Sequence, residues 1–384
     1  MIDPLAGQPQ LPAEVLQTML EQIPTITENA RSILGPVRDQ AANLRTLLLE
    51  RGWIEPIDES AAVGATVAAV DGAQALEPLY AGDLIVAVAV AAEGLRPAAQ
   101  LDRAASHRVY ARFVNHDADN DRLGKAVMVA QELELLRTLP HDLRVLDGSH
   151  QTPVIVINSA LSSQSRSVRD AAVAMLRQYD TVGALADLCN PDTGGSVVAC
   201  PKSDSSRDLG QLLTEQLKGV CTLDLPATDK VLASLVLEPG EMFQAFRVPK
   251  TWANLHIESR NGVDDREEPD LKPLARDLGA AIRPLNERKV RITYAKPAGS
   301  NTAIKIEFKE QRGADFRKRA GAVLAAETPA PHLQEPFPQH LADQWAKSIG
   351  IGVQAQLQGV RLDLATGDEA FLEYILRSYR TLGG

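Results

Sequence analysis

Aromatic residues make up only 4% of the 384-residue sequence, so any core must be built mainly from Ala, Val, Leu and Ile. Cysteine is scarcer still. Cys189, Cys200 and Cys221 are odd in number and lack CxxC spacing, which excludes a disulfide framework and a zinc site and leaves them as reduced core thiols. No window approaches the roughly 18 apolar residues that a membrane span requires. The first residues, MIDPLAGQPQLPAEV, carry neither a basic stretch nor an apolar signal segment, so a soluble, cytoplasmic protein with no membrane association is expected. Positive charge does not dominate either: 50 acidic residues against 40 basic ones give a net charge of −10. That balance argues against a surface coated uniformly for gripping nucleic acid, although a local basic channel remains compatible with it. A GxxxxGKS/T loop is also missing, which counts against a nucleotide-dependent phosphotransferase.

What is present is ordinary globular material, 45% hydrophobic and 23% charged. From Glu14 to about Leu49 apolar residues recur at three- and four-residue spacing, which predicts helices interrupted at Pro24 and at Gly35-Pro36. After Gly64 the runs TVAAVDGAQ, DLIVAVAVAAEG and HRVYARFVN read as three successive strands, the second buried on both faces. A helix is expected between Asp121 and Leu139, a strand at Leu143–Ser149, helices over Arg166–Leu188 and Ser206–Leu217, and a strand at Gly195–Cys200. TPVIVINSAL fits either a strand or a buried helix. RVPKTWANLHIES, KVRITYAKP and TAIKIEFKE read as later strands, with Asp264–Asp270 a solvated acidic insertion and a proline-rich crossing at Glu327–Pro338 before a last helix. Strands alternating with helices point to an α/β sheet protein. The expected division is a helical extension over residues 1–60 and a single domain over 61–384.

Two segments, AAVDGAQ with Asp71 and RVLDGSH with Asp147, place a carboxylate directly after an apolar run and before glycine. Each is expected at a strand end, where the plain reading is an Asp-Gly turn. A buried unpaired charge costs several kcal/mol, so a carboxylate there must be exposed, paired or holding a cation. The intervening helix carries Glu132 and Glu134 in QELELL. Residues two apart on a helix diverge by about 200°, so only one can face the sheet, and Glu132 lies on the Val129–Leu136 side. Oxygen ligands of this kind suit Mg²⁺ or Mn²⁺, and such ions activate water for phosphodiester hydrolysis.

VAAVDGAQ, the ELELL helix leading into VLDGSH, CPKSDSSRDLGQLL, DKVLASLVLEPGE, ITYAKP with IKIEF, and EPFPQHLADQWAKSI follow one another in an order that resembles the NurA nuclease family. The resemblance runs from about Val67 to Ile349. It implies an RNase H-like mixed-sheet core in a homodimer, Mn²⁺-dependent cleavage of DNA, and partnership with a HerA-type hexameric ATPase translocase in DNA-end processing, repair or anti-phage defence. It further implies Asp71 and Asp147 as metal ligands, Glu132 or Glu134 as the helix carboxylate, Tyr294 beside the active site, and Lys202, Ser203 and Ser205 as the lysine-serine stretch that meets phosphate. The family's histidine near the carboxyl end aligns with Trp345, five residues after His340, so a catalytically impaired module that docks on the translocase and guides DNA is the alternative. Basic residues cluster at Lys309, Arg312, Arg317, Lys318 and Arg319, the last three being candidates for contacting a phosphate backbone. Among the other histidines only His150 is close in sequence to a proposed ligand.

Overall fold

The computed structural model describes residues 11–96, 106–189, 197–203, 205–218, 227–247, 255, 269–286, 290–309 and 313–365. Two helices come first, α1 (Ala13–Glu21) and α2 (Ile23–Glu50), parted at Gln22. Pro24 falls in the first turn of α2, where its missing N–H breaks no bond. Pro36, expected to interrupt the helix, lies inside it. The cost of an interior proline, about 3 kcal/mol, is offset by packing: the half of α2 beyond it buries Val37, Ala41, Leu44 and Leu48.

The strands are β1 (Ile54–Pro56), β2 (Val67–Leu79), β3 (Gly82–Glu93), β4 (His107–Val114), β5 (Leu143–Asp147), β6 (Val197–Cys200), β7 (Glu241–Phe243), β8 (Phe246–Arg247), β9 (Val290–Lys296) and β10 (Ile304–Lys309). They form one mixed sheet in the order β1-β7-β9-β10-β6-β5-β2-β3-β4, with β8 added to β9. β2, β3 and β4 run antiparallel in sequence, and β5 then joins the other edge of β2 in parallel, followed by β6 in parallel with β5. That is the RNase H-like mixed core expected, with the helical stretch preceding it. Of RVPKTWANLHIES, Arg247 closes β8; most of that segment and of Asp264–Asp270 lies outside the described residues.

Helices cover both faces. They are α3 (Asn120–Thr138), α4 (Thr152–Leu161), α5 (Arg166–Gln178), α6 (Thr181–Cys189), α7 (Asp208–Gln216), α8 (Asp229–Val236), α9 (Leu271–Asn286), α10 (Gly313–Ala326), α11 (Phe337–Lys347) and α12 (Ile349–Ala365). TPVIVINSAL is therefore a helix, α4. Alternation along β2 sorts its side chains: Ala68 and Val70 pack with Leu133 and Leu136 of α3, whereas Val67 and Ala69 pack with Ala320 and Val323 of α10. α11 lies against β2 and β3. By the same alternation Asp71 belongs to the Val67–Ala69 face and Gly72 to the α3 face.

Candidate metal centre

The two Asp-Gly pairs turn out to have different physical causes. Asp71 is not at a strand end: it sits within β2, opposite Val90 of β3, and is only 7% exposed. Gly72 serves there as a space, not as a turn, since a Cβ on it would come within 2.5 Å of Glu132 Oε1 and 2.7 Å of Met128 Cγ. The missing side chain lets the Glu132 carboxylate, itself buried on α3, reach the sheet backbone. Asp147 does end β5, and Gly148 turns the chain with a φ of +87°, in the left-handed region that glycine favours.

Parallel pairing of β5 with β6 sets Asp147 opposite Cys200, and the chain leaving β6 places Lys202 over both aspartates. Lys202 Nζ stands 3.0 Å from Asp71 Oδ2 and 2.9 Å from Asp147 Oδ2. α11 supplies two more groups at i, i+4 spacing, Gln339 and Asp343. Asp343 Oδ1 is 2.6 Å from Lys202 Nζ, and Gln339 Nε2 donates to Asp147 Oδ1 at 2.7 Å and to the Cys200 carbonyl at 2.6 Å. Glu335, just before the helix, lies 3.6 Å from the same ammonium. Asp71, Asp147 and Asp343 each bring a ligand oxygen within 4.8 Å of the others. Hard oxygen donors at that spacing fit Mg²⁺ or Mn²⁺ and lack the nitrogen and sulfur that zinc favours.

The electrostatics follow from crowding carboxylates where water is scarce. Burial first, and then the Asp147 charge, pushes Asp71 up to about 7, against the pull of Lys202. Glu132 is raised well above the ordinary carboxylate range by burial and by Asp71 and Asp147, and no ion pair joins it to a cation among the described residues. For Asp343 burial is the largest influence, but Lys202 and Lys347 outweigh it and hold the carboxyl low. For Lys202 burial opposes the charge, and Asp147, Asp343 and Asp71 together overcome it and raise the ammonium.

Asp71, Glu132, Asp147 and Lys202 share a cleft of about 760 Å³ whose lining also includes Ser203 and Ser205, and Asp343 reaches Lys202 from α11 beside it. Other expected site residues lie elsewhere. Glu134 points to β4, where Arg108 Nε reaches its Oε2 at 2.8 Å, as the helical offset from Glu132 requires. Tyr294 is fully buried, paired in the ladder with Lys305 and stacked on Phe246, and does not line the cleft. On α10, Arg317 pairs with Glu55 and donates to the Phe243 carbonyl, Lys318 is 3.6 Å from Glu55, and Arg319 is 3.7 Å from Asp142; none of the three lines the cleft. Arg312 lies outside the described residues. His150 is a buried residue of the cleft lining, its Nδ1 3.3 Å from Glu307 Oε2. Trp345 is 51% exposed, whereas Asp343, two residues earlier, and Gln339 are α11 side chains directed at the site. Reading α11 by its i, i+4 pairs would have found Gln339 and Asp343, whereas a search for histidine passed over them.

No family model and no curated protein matches the sequence. Solved structures do. The NurA nuclease from Sulfolobus solfataricus superposes with a TM-score of 0.51 at 14% identity, covering 91% of this chain and 98% of that one. A second NurA structure gives 0.51 at 12% identity over 91% and 99%. NurA with manganese gives 0.50 at 12% identity over 91% and 100%. Over nearly its whole length, the chain is built on the NurA fold.

Proposed function

We propose that the protein is a metal-dependent deoxyribonuclease of the NurA kind, hydrolysing phosphodiester bonds in DNA. The observation that carries the reading is the meeting of Asp71, Asp147 and Asp343 within chelating distance, beside a cleft that Asp71, Asp147 and the buried Glu132 line, in a chain with the NurA fold. A divalent cation held by these aspartates would supply a polarised water and neutralise charge at the leaving oxygen, and the similar structure with manganese favours Mn²⁺, with Mg²⁺ the alternative. Burial and the neighbouring Asp71 and Asp147 raise the Glu132 carboxyl well above the ordinary range; it lines the same cleft and is the side chain we assign to proton exchange with the attacking water. Lys202 is the cation that meets the scissile phosphate, and the exposed Ser203 and Ser205 offer hydroxyl donors beside it.

A neighbouring groove supports a path for the DNA strand. Among the described residues its lining includes Arg31, Arg38, Lys202 and Lys230 and no carboxylate, which gathers basic side chains next to the acidic floor, Arg31 and Arg38 also pairing outward with Glu28 and Asp39. A homodimer, working with a HerA-type ATPase in the cytoplasm in DNA-end processing or defence, completes the proposal. α1 and the first half of α2 are the dimer elements: Leu16, Met19, Leu20, Ile23, Ile26 and Ile33 are all about half exposed or more. No helix among the described residues is long and apolar enough to cross a membrane. Residues 1–60 then act as the assembly arm and 61–384 as the nuclease domain. The impaired-module alternative rests on Trp345, and Asp343 on the same helix weakens that ground. Cleavage of linear single- and double-stranded DNA with Mn²⁺, comparing wild type with Asp71→Ala and Asp147→Ala, tests the reading; cleavage unchanged in both variants would sink the metal-site assignment.

A further inference from the structure

Among the described residues, the only carboxylates close enough to chelate one cation together already surround a cation of the chain's own. Lys202 Nζ is 2.6 Å from Asp343, 2.9 Å from Asp147 and 3.0 Å from Asp71, with Glu335 at 3.6 Å. A Mg²⁺ or Mn²⁺ ion binds carboxylate oxygen at about 2.1 Å. An ion on the same Asp343 oxygen would therefore stand less than about 5 Å from Nζ, with the same carboxylates serving both charges. Repulsion at that distance, in a setting that excludes most water, disfavours joint occupancy.

The structure also offers the ammonium somewhere to go. Lys202 lines two depressions at once, the acidic cleft with Asp71 and Asp147 and the basic groove with Arg31, Arg38 and Lys230. Its backbone is held from the groove side, where Lys230 Nζ donates to the Lys202 carbonyl at 2.8 Å. A four-carbon side chain anchored at the boundary can swing its charge from one depression to the other by rotamer changes alone.

Resting on the metal-site reading above, we propose that Lys202 is a tethered stand-in for the metal: it neutralises the aspartates in the metal-free protein, competes with the divalent ion for them, and is released toward the phosphate groove when the ion enters. Lys202 thus sets metal affinity as well as meeting substrate. A DNA phosphate that recruits the ammonium also clears the aspartates, so DNA and metal tighten each other's binding by the same factor.

The test is calorimetric titration of Mn²⁺ into wild type and Lys202→Met, a substitution that keeps the stem and removes the charge. The expected result is binding at least about tenfold tighter in the variant. In wild type, reductive methylation of Lys202 with formaldehyde and borohydride, followed by mass spectrometry, should rise when Mn²⁺ saturates the site. That second readout decides if the variant fails to fold. Equal or weaker Mn²⁺ affinity in a folded variant, or methylation indifferent to the ion, overturns the proposal while leaving the metal site standing. No Mn²⁺ uptake by either protein overturns the metal site and the proposal with it.

Discussion

At the residue scale, the account turns on carboxylates held together against their own repulsion. Asp71 titrates near 7 when folded, against an ordinary value of 3.8, so its contribution to stability is full below about pH 4 and is lost as pH rises through about 7. Asp71→Asn should flatten the stability of the metal-free protein across that window and raise it at pH 8 by on the order of a few kcal/mol. Urea melts at pH 5 and pH 8 check this, and a variant that loses stability with pH as steeply as wild type contradicts it. Gly72 makes a second case. Its Cβ would meet Glu132 Oε1, Met128 Cγ and, at 3.0 Å, the Val88 carbonyl. Gly72→Ala is expected to cost about 1–3 kcal/mol in a denaturant melt, the usual range for overpacking; a neutral result would mean that Glu132 is not seated where it is described. Asp71, Glu132 and Asp147 were legible as candidates because each is a carboxylate in or beside an apolar run, whereas Lys202 was a candidate only through the family resemblance of CPKSDSS. Why Gly72 follows Asp71 was not legible, because a turn glycine and a space glycine look alike in sequence and only the approach of α3 separates them.

At the element scale, most of the sheet was readable and the exceptions have a common cause. β2, β3 and β4 follow their β-branched runs, and β5 and β6 follow theirs; in β2, β3, β5 and β6 this is because strands of a sheet covered on both faces keep apolar residues at successive positions. Pro36 misleads as a helix breaker because local propensity is outweighed by tertiary packing of the α2 face beyond it. α4 was undecidable for the opposite reason, a short apolar run carrying no clear period. α11 matters most. The alignment drew attention to Trp345, yet the helix turns Gln339 and Asp343 inward and leaves the tryptophan in solvent. α1 gives a prediction of its own: none of its residues is buried. Removing residues 1–21 should move the melting temperature by less than about 2 °C while shifting the elution of the protein from dimer to monomer. A large loss of stability, or an unchanged elution position, counts against the dimer role given to these helices.

For the whole molecule, the acidic balance of −10 hides a separation of charge. Carboxylates gather on the floor of one cleft, and arginines and lysines line the groove next to it, joined at Lys202. Net charge averages over both and so could not reveal either, whereas burial and pairing place each at the ends of β5 and β6 and on α2. The central claim is that this junction hydrolyses DNA with a divalent metal. Its most direct test is the initial rate of cleavage of an end-labelled linear DNA by wild type and Asp147→Asn, each with Mn²⁺ and with EDTA. The account predicts cleavage by wild type only with Mn²⁺ and a rate lower by at least about a hundredfold in the variant, equivalent to about 2.7 kcal/mol of barrier. Cleavage by wild type in EDTA, or an Asp147→Asn rate equal to wild type, would contradict it.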